Sequence, residues 1–231
     1  MTDAADRTAR LLALVVERSP RTLSELIAAT DSTEADVQLS LAALERHGLI
    51  EWDAERLRAR FAHAIRRDLA EIAEPAMRRL ADESGETVNL MIRSAHGAEA
   101  IAQVDGRHVL GVRSWIGREV PDHCSAAGKV FLAFGDAAPA APLERLTART
   151  IVHVEQLERE LAGVREHGFA TIVDELEMGL AAAAAPIRSG DGAVVGALSV
   201  AGPTARLGPS RLAVVGRLAV EQANAVSTAL A

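Results

Sequence analysis

Two apolar runs near the end of the sequence, LAAAAAPIRS and AVVGALSVAGP, constrain the fold more than any other feature. The spacer between them contains Gly190-Asp191-Gly192, and a short glycine-containing spacer between two strand-like runs is typical of a β-hairpin turn. Four earlier runs also have the character of strands: TVNLMIRS, AEAIAQV, HVLGVRSW and GFATIV. The sequence therefore predicts a mostly antiparallel sheet in the second part of the chain.

Helical patterns lie between these strands, so an α+β fold is predicted. One helix is predicted for CSAAGKVFLAFG and another for VEQLERELAGVREHG, which ends at Gly168 because glycine favours a helix C-terminus. A last helix is predicted from about Pro209 to Leu230. We assign residues 85–231 to this α+β domain.

The first sixty residues have the pattern of three short helices. The first helix buries apolar residues of the run 11–15 and ends at Ser19-Pro20, because proline disfavours helix in the residue before it. Thr22 and Glu25 have the spacing of a capping box, which predicts the start of a second helix. This helix is short, since turn-forming residues follow within ten positions.

A third helix is predicted to start at Asp31-Ser32 and to end at His47-Gly48. Val37, Leu41 and Leu44 recur at helical spacing and are predicted to face the core. Leu39 is out of phase with them and is predicted to be exposed.

Two short runs after the third helix, LIEW and RLRARF, predict a two-stranded wing. Three helices and a wing make residues 1–61 a winged helix-turn-helix, a DNA-binding fold. Residues 62–84 are predicted to form a helical connector, in which Pro75 either kinks the helix or begins a new one. Gly85 closes the connector.

Composition excludes several classes of protein. The formal charge of −7 provides no general attraction to nucleic acid. Cys124 is the single cysteine, so no intramolecular disulfide forms, and no Cys/His spacing resembles a zinc site. The apolar runs are too short to span a membrane. We expect a cytoplasmic protein with no membrane partner, no metal and no cofactor.

Three segments resemble one known family. DHCSAAGKVFLAFG is similar to the signature helix of IclR-type bacterial transcription regulators. HGFATIVDELEMGLAAAAAPIRSGDGAVVGALSVAGP, followed by TARL, is similar to the closing block of that family. The resemblance implies a homodimer or homotetramer in which a GAF-like effector-binding domain controls DNA binding by the winged helix. It implies a regulator and not an enzyme.

The resemblance also implies a set of effector-binding residues. They are Val109, Val112, Cys124, Ser125, Ala126, Ala127, Glu175, Ala182 and Ser199. Because few hydroxyl groups remain among them, we expect an apolar pocket suited to a larger or aromatic effector, with Arg113 or Arg188 available at the rim for an anion. The alternative is a pocket filled by its own side chains.

Two residues of the signature helix leave more than one interpretation. Lys129 either flanks the effector pocket, as the resemblance implies, or is a solvated helix charge. Cys124 is a plain buried cysteine, a thiol that lines the pocket with a pKa lowered by the helix N-terminus, or a nucleophile. SAAGK lacks the first glycine and the hydroxyl of a phosphate-binding loop, so a nucleotide site is not predicted.

The third helix is poor in positive charge for a helix that reads DNA. Residues 1–60 contain eight arginines and eleven acidic residues, a net charge of −3. The candidate DNA contacts are Arg21, Ser32, Thr33, Gln38, Arg46, Arg56, Arg58 and Arg60, the last three at alternate positions on one face of a wing strand. Gln38 has the groups to pair with an adenine edge, and the wing arginines with phosphates.

Two functions remain open from the sequence. The first is a ligand-responsive transcriptional regulator that binds operator DNA as a dimer and a small organic effector. The second is a sensor or protein-interaction module whose winged helix no longer binds DNA. Exposed Leu39 beside alanines suits the helix-helix contact that the second function requires.

Overall fold

A computed structural model describes residues 4–17, 21–30, 32–94, 97–108, 114–135, 139 and 142–231. The chain divides into two compact units, Met1–Leu69 and Ala70–Ala231, and each has its own hydrophobic core. The three-part division into 1–61, 62–84 and 85–231 stays a prediction. None of the described helices combines the length and the apolar character that a membrane span requires.

The first unit contains three helices and a small antiparallel sheet. Its elements are α1 (Ala4–Glu17), β1 (Arg21–Thr22), α2 (Leu23–Ala28), α3 (Glu34–Arg46), β2 (Ile50–Asp53) and β3 (Arg56–Ala59). The predicted winged helix-turn-helix is confirmed, and its two predicted wing strands pair with each other as β2 and β3. A third strand, β1, pairs with β3, so the order is β1-β3-β2. Two residues are too few to show a strand period.

The core of this unit explains why α3 folds. Val37, Leu41 and Leu44 are buried as predicted, together with Leu11, Val15, Leu26, Ile50, Leu57 and Ala59. Leu39 is 66% exposed, which confirms its predicted position on the outer face. The helix is therefore held by one apolar stripe and not by contacts of its outer face.

The capping residues agree with the sequence at α2 and differ at α3. Thr22 and Glu25 form the predicted capping box, in which each side chain accepts a hydrogen bond from the other's backbone N–H. The predicted start of α3 at Asp31-Ser32 is wrong. Thr33 caps the helix, because the backbone N–H of Ser32 donates to the carbonyl of Thr30 and keeps Ser32 in the preceding turn.

A long helix, α4 (Arg60–Ser84), follows the wing, and the division between the two units falls inside it. Arg60 is therefore a helix residue, and the prediction of Arg56, Arg58 and Arg60 on one strand face is wrong. Pro75 lies inside α4 and does not begin a new helix. Burial of Ala73, Ala76, Met77 and Leu80 next to Pro75 stabilises the uninterrupted helix.

The second unit is built on a six-stranded antiparallel sheet. Its strands are β4 (Thr87–Ser94), β5 (Gly97–Val104), β6 (Glu119–Val120), β7 (Ala170–Val173), β8 (Leu180–Arg188) and β9 (Val194–Pro203), in the order β6-β5-β4-β9-β8-β7. The predicted α+β fold and the 190–192 hairpin are confirmed. The predicted strand HVLGVRSW includes residues 109–113, which lie outside the described residues.

Helices cover both faces of this sheet. They are α5 (Ala126–Phe134), α6 (Val154–His167) and α7 (Pro209–Leu230), close to the predicted bounds. The apolar side chains of α5 and α6 share one core with Ala182, Ala184 and Ala197. Side chains alternate along a strand, so the intervening alanines of β8 face the opposite side, where α7 packs on β8 and β9.

The C-terminal end of α4 is fixed within the second unit by buried charge. Arg206 donates two hydrogen bonds to the carboxylate of Glu86, at 2.5 and 2.7 Å. Arg211 donates to the backbone carbonyl of Ser84 at 3.1 Å, which satisfies a carbonyl at the helix end. A Cβ atom on Gly202 would lie 2.5 Å from Glu86 Oε2, so this close approach requires glycine.

The capping assignment at α3 makes a stability prediction. Thr33→Ala removes the side chain that accepts the N–H of Asp36, so it should lower the free energy of unfolding of the first unit by about 1 kcal/mol. Ser32→Ala is the control and should leave it nearly unchanged. Urea unfolding followed through Trp52 fluorescence, in a Trp115→Phe background, measures both. Equal effects of the two substitutions would contradict the assignment.

Candidate functional site

The N-terminus of α5 forms the wall of the candidate site. A single 3-10 turn, Asp122–Cys124, leads into Ser125, which caps the helix. The Ser125 hydroxyl donates to the carbonyl of Pro121 at 2.7 Å and accepts from the N–H of Gly128 at 3.1 Å. The hydroxyl therefore already donates one hydrogen bond and accepts another within the chain.

Gly128 allows the 3-10 turn to pack directly on the helix. A Cβ atom at this position would lie 2.2 Å from the Cα atom of Asp122, closer than any side chain tolerates. The glycine therefore holds the turn against the first residues of α5. This packing places Ala126 and Ala127 at the cavity described next.

A small cavity of about 40 Å³ lies between α5 and the sheet. Its wall comes from β4, β8, β9 and α5 and includes the side chain of Trp115. None of the described lining residues is charged; they are Asn89, Met91, Trp115, Val120, Ser125, Ala126, Ala127, Ile172, Leu176, Leu180, Ala182, Ser199 and Ala201. The volume holds about three water molecules, at roughly 10–15 Å³ each. A larger or aromatic effector requires lining side chains to move.

The structure brings together five of the nine predicted effector residues: Ser125, Ala126, Ala127, Ala182 and Ser199. Val109 and Val112 lie outside the described residues, as does Arg113. Cys124 and Glu175 do not line the cavity. Arg188 is also elsewhere, since its guanidinium lies over the ring of Phe134 and donates to the carbonyl of Gly192.

Sequence reasoning missed Asn89, which is 3% exposed and lines the cavity. Its Oδ1 atom has no hydrogen-bond partner among the described residues. Asn89 pairs with Ser199 across β4 and β9, so the two side chains are neighbours on one face of the sheet. The available signal was a lone asparagine inside the apolar strand TVNLMIRS.

Lys129 is buried in an ion pair, so the interpretation as a solvated helix charge is wrong. Its side chain has no exposed surface. The Nζ atom donates to Glu175 at 2.8 Å, to Glu160 of α6, and to the carbonyl of Thr171 in β7 at 3.5 Å. Glu175, a predicted effector residue, is thus bound to this amine and does not line the cavity.

Burial controls the ionisation of two groups near Lys129. Desolvation raises the pKa of Glu175 from 4.5 to about 6, against the opposing attraction of Lys129. Desolvation and then the charge of Glu175 raise the pKa of the Cys124 thiol to about 12. The interpretation of Cys124 as a thiol with a lowered pKa is therefore wrong, because Cys124 precedes the helix and its side chain is fully buried.

A second, larger depression of about 670 Å³ lies on the surface of the second unit. It runs between α6, β7 and the start of α7, and Glu175 and Glu160 are part of its wall. Charged side chains of α6 line this depression. It therefore differs from the enclosed, mostly apolar sites that small organic ligands usually occupy. Of the predicted effector residues, only Glu175 lies there. Among the described residues, no three His, Cys, Asp or Glu side chains are grouped to hold a metal ion.

The predicted DNA contacts are partly engaged within the first unit. Thr33 caps α3 and also donates its hydroxyl to Asp36 at 2.8 Å. Gln38 donates to Glu34 at 3.0 Å, on the exposed face of α3. Arg46 and Arg56 are exposed, and Ser32 is half-buried. The side chains of Arg21, Arg58 and Arg60 lie outside what the structure describes.

One acidic charge of α3 is neutralised from α1. Arg7 lies 3.4 Å from the carboxylate of Asp36 and also donates to the hydroxyl of Ser40 at 3.4 Å. The side chain of Arg7 is mostly buried in this contact, at 13% exposure. Asp36 is therefore a structural anchor for α1, and Glu34 carries the remaining negative charge of the first turn of the helix.

Comparison with known proteins identifies the fold and the family. The family model described as bacterial transcriptional regulator IclR C-terminal matches residues 61–228, well over half of the chain. The chain belongs to the IclR family. The family is one of transcriptional regulators and not of enzymes.

Individual IclR-family relatives support this assignment. The HTH-type transcriptional repressor AllR of Klebsiella pneumoniae is 35% identical over 175 residues, which cover 73% of this chain and 64% of AllR. The chain thus matches just under two thirds of that relative. The solved structure of the transcriptional regulator YaiJ is 32% identical, with a TM-score of 0.63, and covers 71% of this chain and 95% of its own.

A third relative extends the likeness to the first unit. The structure of an IclR transcriptional regulator from Silicibacter sp. has a TM-score of 0.73 and covers 99% of this chain and 96% of its own. At 24% identity it shows the fold alone. The winged helix and the α+β unit therefore occur together in a solved member of the same fold.

The burial of Cys124 predicts an unreactive thiol. In the folded protein at about pH 8, the thiol should be protonated and inaccessible, so iodoacetamide should not label it. In concentrated urea it should be labelled quickly. Mass spectrometry measures both, and the single cysteine makes the result unambiguous. Fast labelling of the folded protein would contradict the buried assignment.

The raised pKa of Glu175 predicts a pH-dependent stability. A carboxyl whose pKa is raised by folding stabilises the fold when protonated, and this contribution is lost as the pH rises from 4.5 to about 6. Relative to Glu175→Gln, the wild-type protein should therefore lose stability across that window. Urea unfolding at several pH values measures the difference. Glu177→Gln, at an exposed neighbouring carboxyl, should follow the wild type; identical curves for all three proteins would refute the assignment.

Proposed function

We propose that this chain is a ligand-responsive transcriptional regulator. It binds operator DNA through residues 1–61 and a small organic effector within residues 85–231. The observation that carries this proposal is the pairing, on one chain, of a winged helix with an IclR-type unit that contains a cavity whose described lining is uncharged. The repressor named AllR, which is 35% identical, supports a role in repression.

The winged helix offers two kinds of contact to DNA. Arg56 is exposed on β3, beside the Asp53–Glu55 turn of the wing. Arg46 is exposed in the last turn of α3. Gln38 is exposed at the middle of α3, but its bond to Glu34 must be broken before it pairs with a base. We infer that arginine contacts to phosphate provide most of the affinity and that α3 provides little.

Coupling between effector and DNA runs through α4 in this proposal. The helix is continuous from Arg60 to Ser84, and its end is fixed to the second unit by Glu86, Arg206 and Arg211. An effector that shifts the population of two arrangements of the second unit would move this fixed end. In a homodimer or homotetramer, that movement would alter the spacing of the winged helices.

One observation favours a second function. The outer face of α3 presents Leu39, with Ala35 and Ala42 exposed beside it, where a DNA-reading helix usually carries polar or basic residues. Glu34 adds negative charge to the same helix. A chain of this kind would act as a sensor that contacts a partner protein through α3 and does not bind DNA.

Titration of the gene's own upstream DNA separates the two functions. Fluorescence polarisation should show binding that weakens as the salt concentration rises. Arg56→Ala should lower the affinity and reduce the slope of log affinity against log salt by about 1, because one phosphate contact is lost. Arg217→Ala, an exposed arginine on α7, is the control and should bind like the wild type.

Absence of DNA binding at low salt would support the sensor function. Binding that Arg56→Ala leaves unchanged would contradict the assigned role of the wing.

A further inference from the structure

We propose that the cavity between α5 and the sheet selects an uncharged ligand that carries both a hydrogen-bond donor and an acceptor, with a primary carboxamide as the simplest example. This inference rests on the proposed function, because it specifies the effector of the same unit. It is carried by Asn89, which neither composition nor strand pattern assigned to a site.

The Oδ1 atom of Asn89 has no hydrogen-bond partner among the described residues. A buried polar atom without a partner destabilises the fold, so such atoms are rare unless a ligand or water completes them. Asn89 is almost completely buried, with 3% of its surface exposed, and it lines the cavity. The oxygen is an acceptor, and the group that completes it must be a donor.

The first turn of α5 provides hydrogen-bond donors on the opposite wall. Ala126 and Ala127 are the first two residues of α5, and both line the cavity. The N–H groups in the first turn of a helix have no carbonyl partner within that helix. Ser125 satisfies the N–H of Gly128, one residue further on. The first two N–H groups therefore require an acceptor, such as a carbonyl oxygen.

The described lining of the cavity favours an uncharged ligand. The described lining contains no Lys, Arg or His, so an anion would meet no cation among the described residues of the cavity. The nearest amine to this wall, that of Lys129 on α5, is bound to Glu160 and Glu175. A carboxylate would satisfy the helix N–H groups, but its negative oxygens would face the acceptor of Asn89 and leave it unpaired. A carboxamide donates to the oxygen of Asn89 and accepts from the N–H groups of α5, and it carries no charge.

Ser199 completes the arrangement on the sheet side. It pairs with Asn89 across the strands and lines the same cavity. Its hydroxyl donates and accepts, so it serves either end of the ligand. The apolar remainder of the lining, including Met91, Trp115 and Leu176, accommodates the ligand's hydrocarbon part.

The test compares isosteric pairs that differ only in charge: propionamide with propionate, and benzamide with benzoate, at about pH 7.5. Binding to the full chain is measured by isothermal titration and by the shift in melting temperature, since a ligand of the folded state raises it. At least one amide should bind, with a Kd at least roughly tenfold below that of its carboxylate, a difference of about 1.4 kcal/mol.

Asn89→Leu should abolish the preference for the amide. It should also raise the melting temperature of the ligand-free protein, because it removes an unpaired buried oxygen from an apolar cavity. Asn224→Leu provides the matched control at the only other asparagine of the chain, which is exposed on α7. It should leave amide binding unchanged.

Several results would overturn the proposal: a carboxylate that binds as tightly as its amide, no binding by either amide, or an Asn89→Leu variant that keeps the preference or melts lower. These outcomes are separate from those for DNA. Amide binding without any DNA binding would refute only the regulatory function. Release of DNA by a carboxylate alone would refute only the ligand class.

Discussion

The buried amine of Lys129 is the interaction on which the second unit depends. It is the only lysine of the chain, and it joins α5 to Glu160 on α6, to Glu175 after β7 and to the backbone of β7. Removal of one partner from a buried ion pair costs about 3–5 kcal/mol, because the remaining charge loses its compensation. The pair holds α5 against the sheet edge, and the first turn of α5 is one wall of the cavity. The shape of the candidate site therefore follows from an ion pair that does not line it.

Two buried polar groups in this unit have opposite roles. Lys129 has three acceptors and stabilises the packing of helices on the sheet. Asn89 has an oxygen with no described partner and weakens the fold that contains it. A chain retains such a group when binding requires it, since functional sites are where local rules of stability are broken. Lys129 therefore has a structural role, whereas Asn89, which lines the cavity, is the residue that we assign to ligand selection.

Local features were predictable from the sequence, and long-range ones were not. The 190–192 hairpin, the capping box of Thr22 and Glu25 and the stripe of Val37, Leu41 and Leu44 are each specified by residues within a few positions. The pairing of β1 with β3 joins residues more than thirty positions apart, and the two residues of β1 are too few to show the alternation of a strand. Lys129 and Glu175 are 46 positions apart, so their pairing required the fold. Of the nine effector residues that the family resemblance predicted, five line one cavity. The resemblance did not predict Asn89, whose only signal in the sequence was a polar residue in an apolar strand.

In the proposed function, a ligand in the cavity and DNA on the winged helix are coupled. Because coupling between two sites is reciprocal, it is measured most directly by a pair of titrations. Operator affinity is measured with and without the tightest-binding amide, and the affinity for that amide is measured with and without saturating operator. Both affinities should change in the same direction and by the same factor, about 5-fold to 150-fold for a typical allosteric protein. Ligand binding that leaves operator affinity unchanged, with both sites functional, would contradict the coupling.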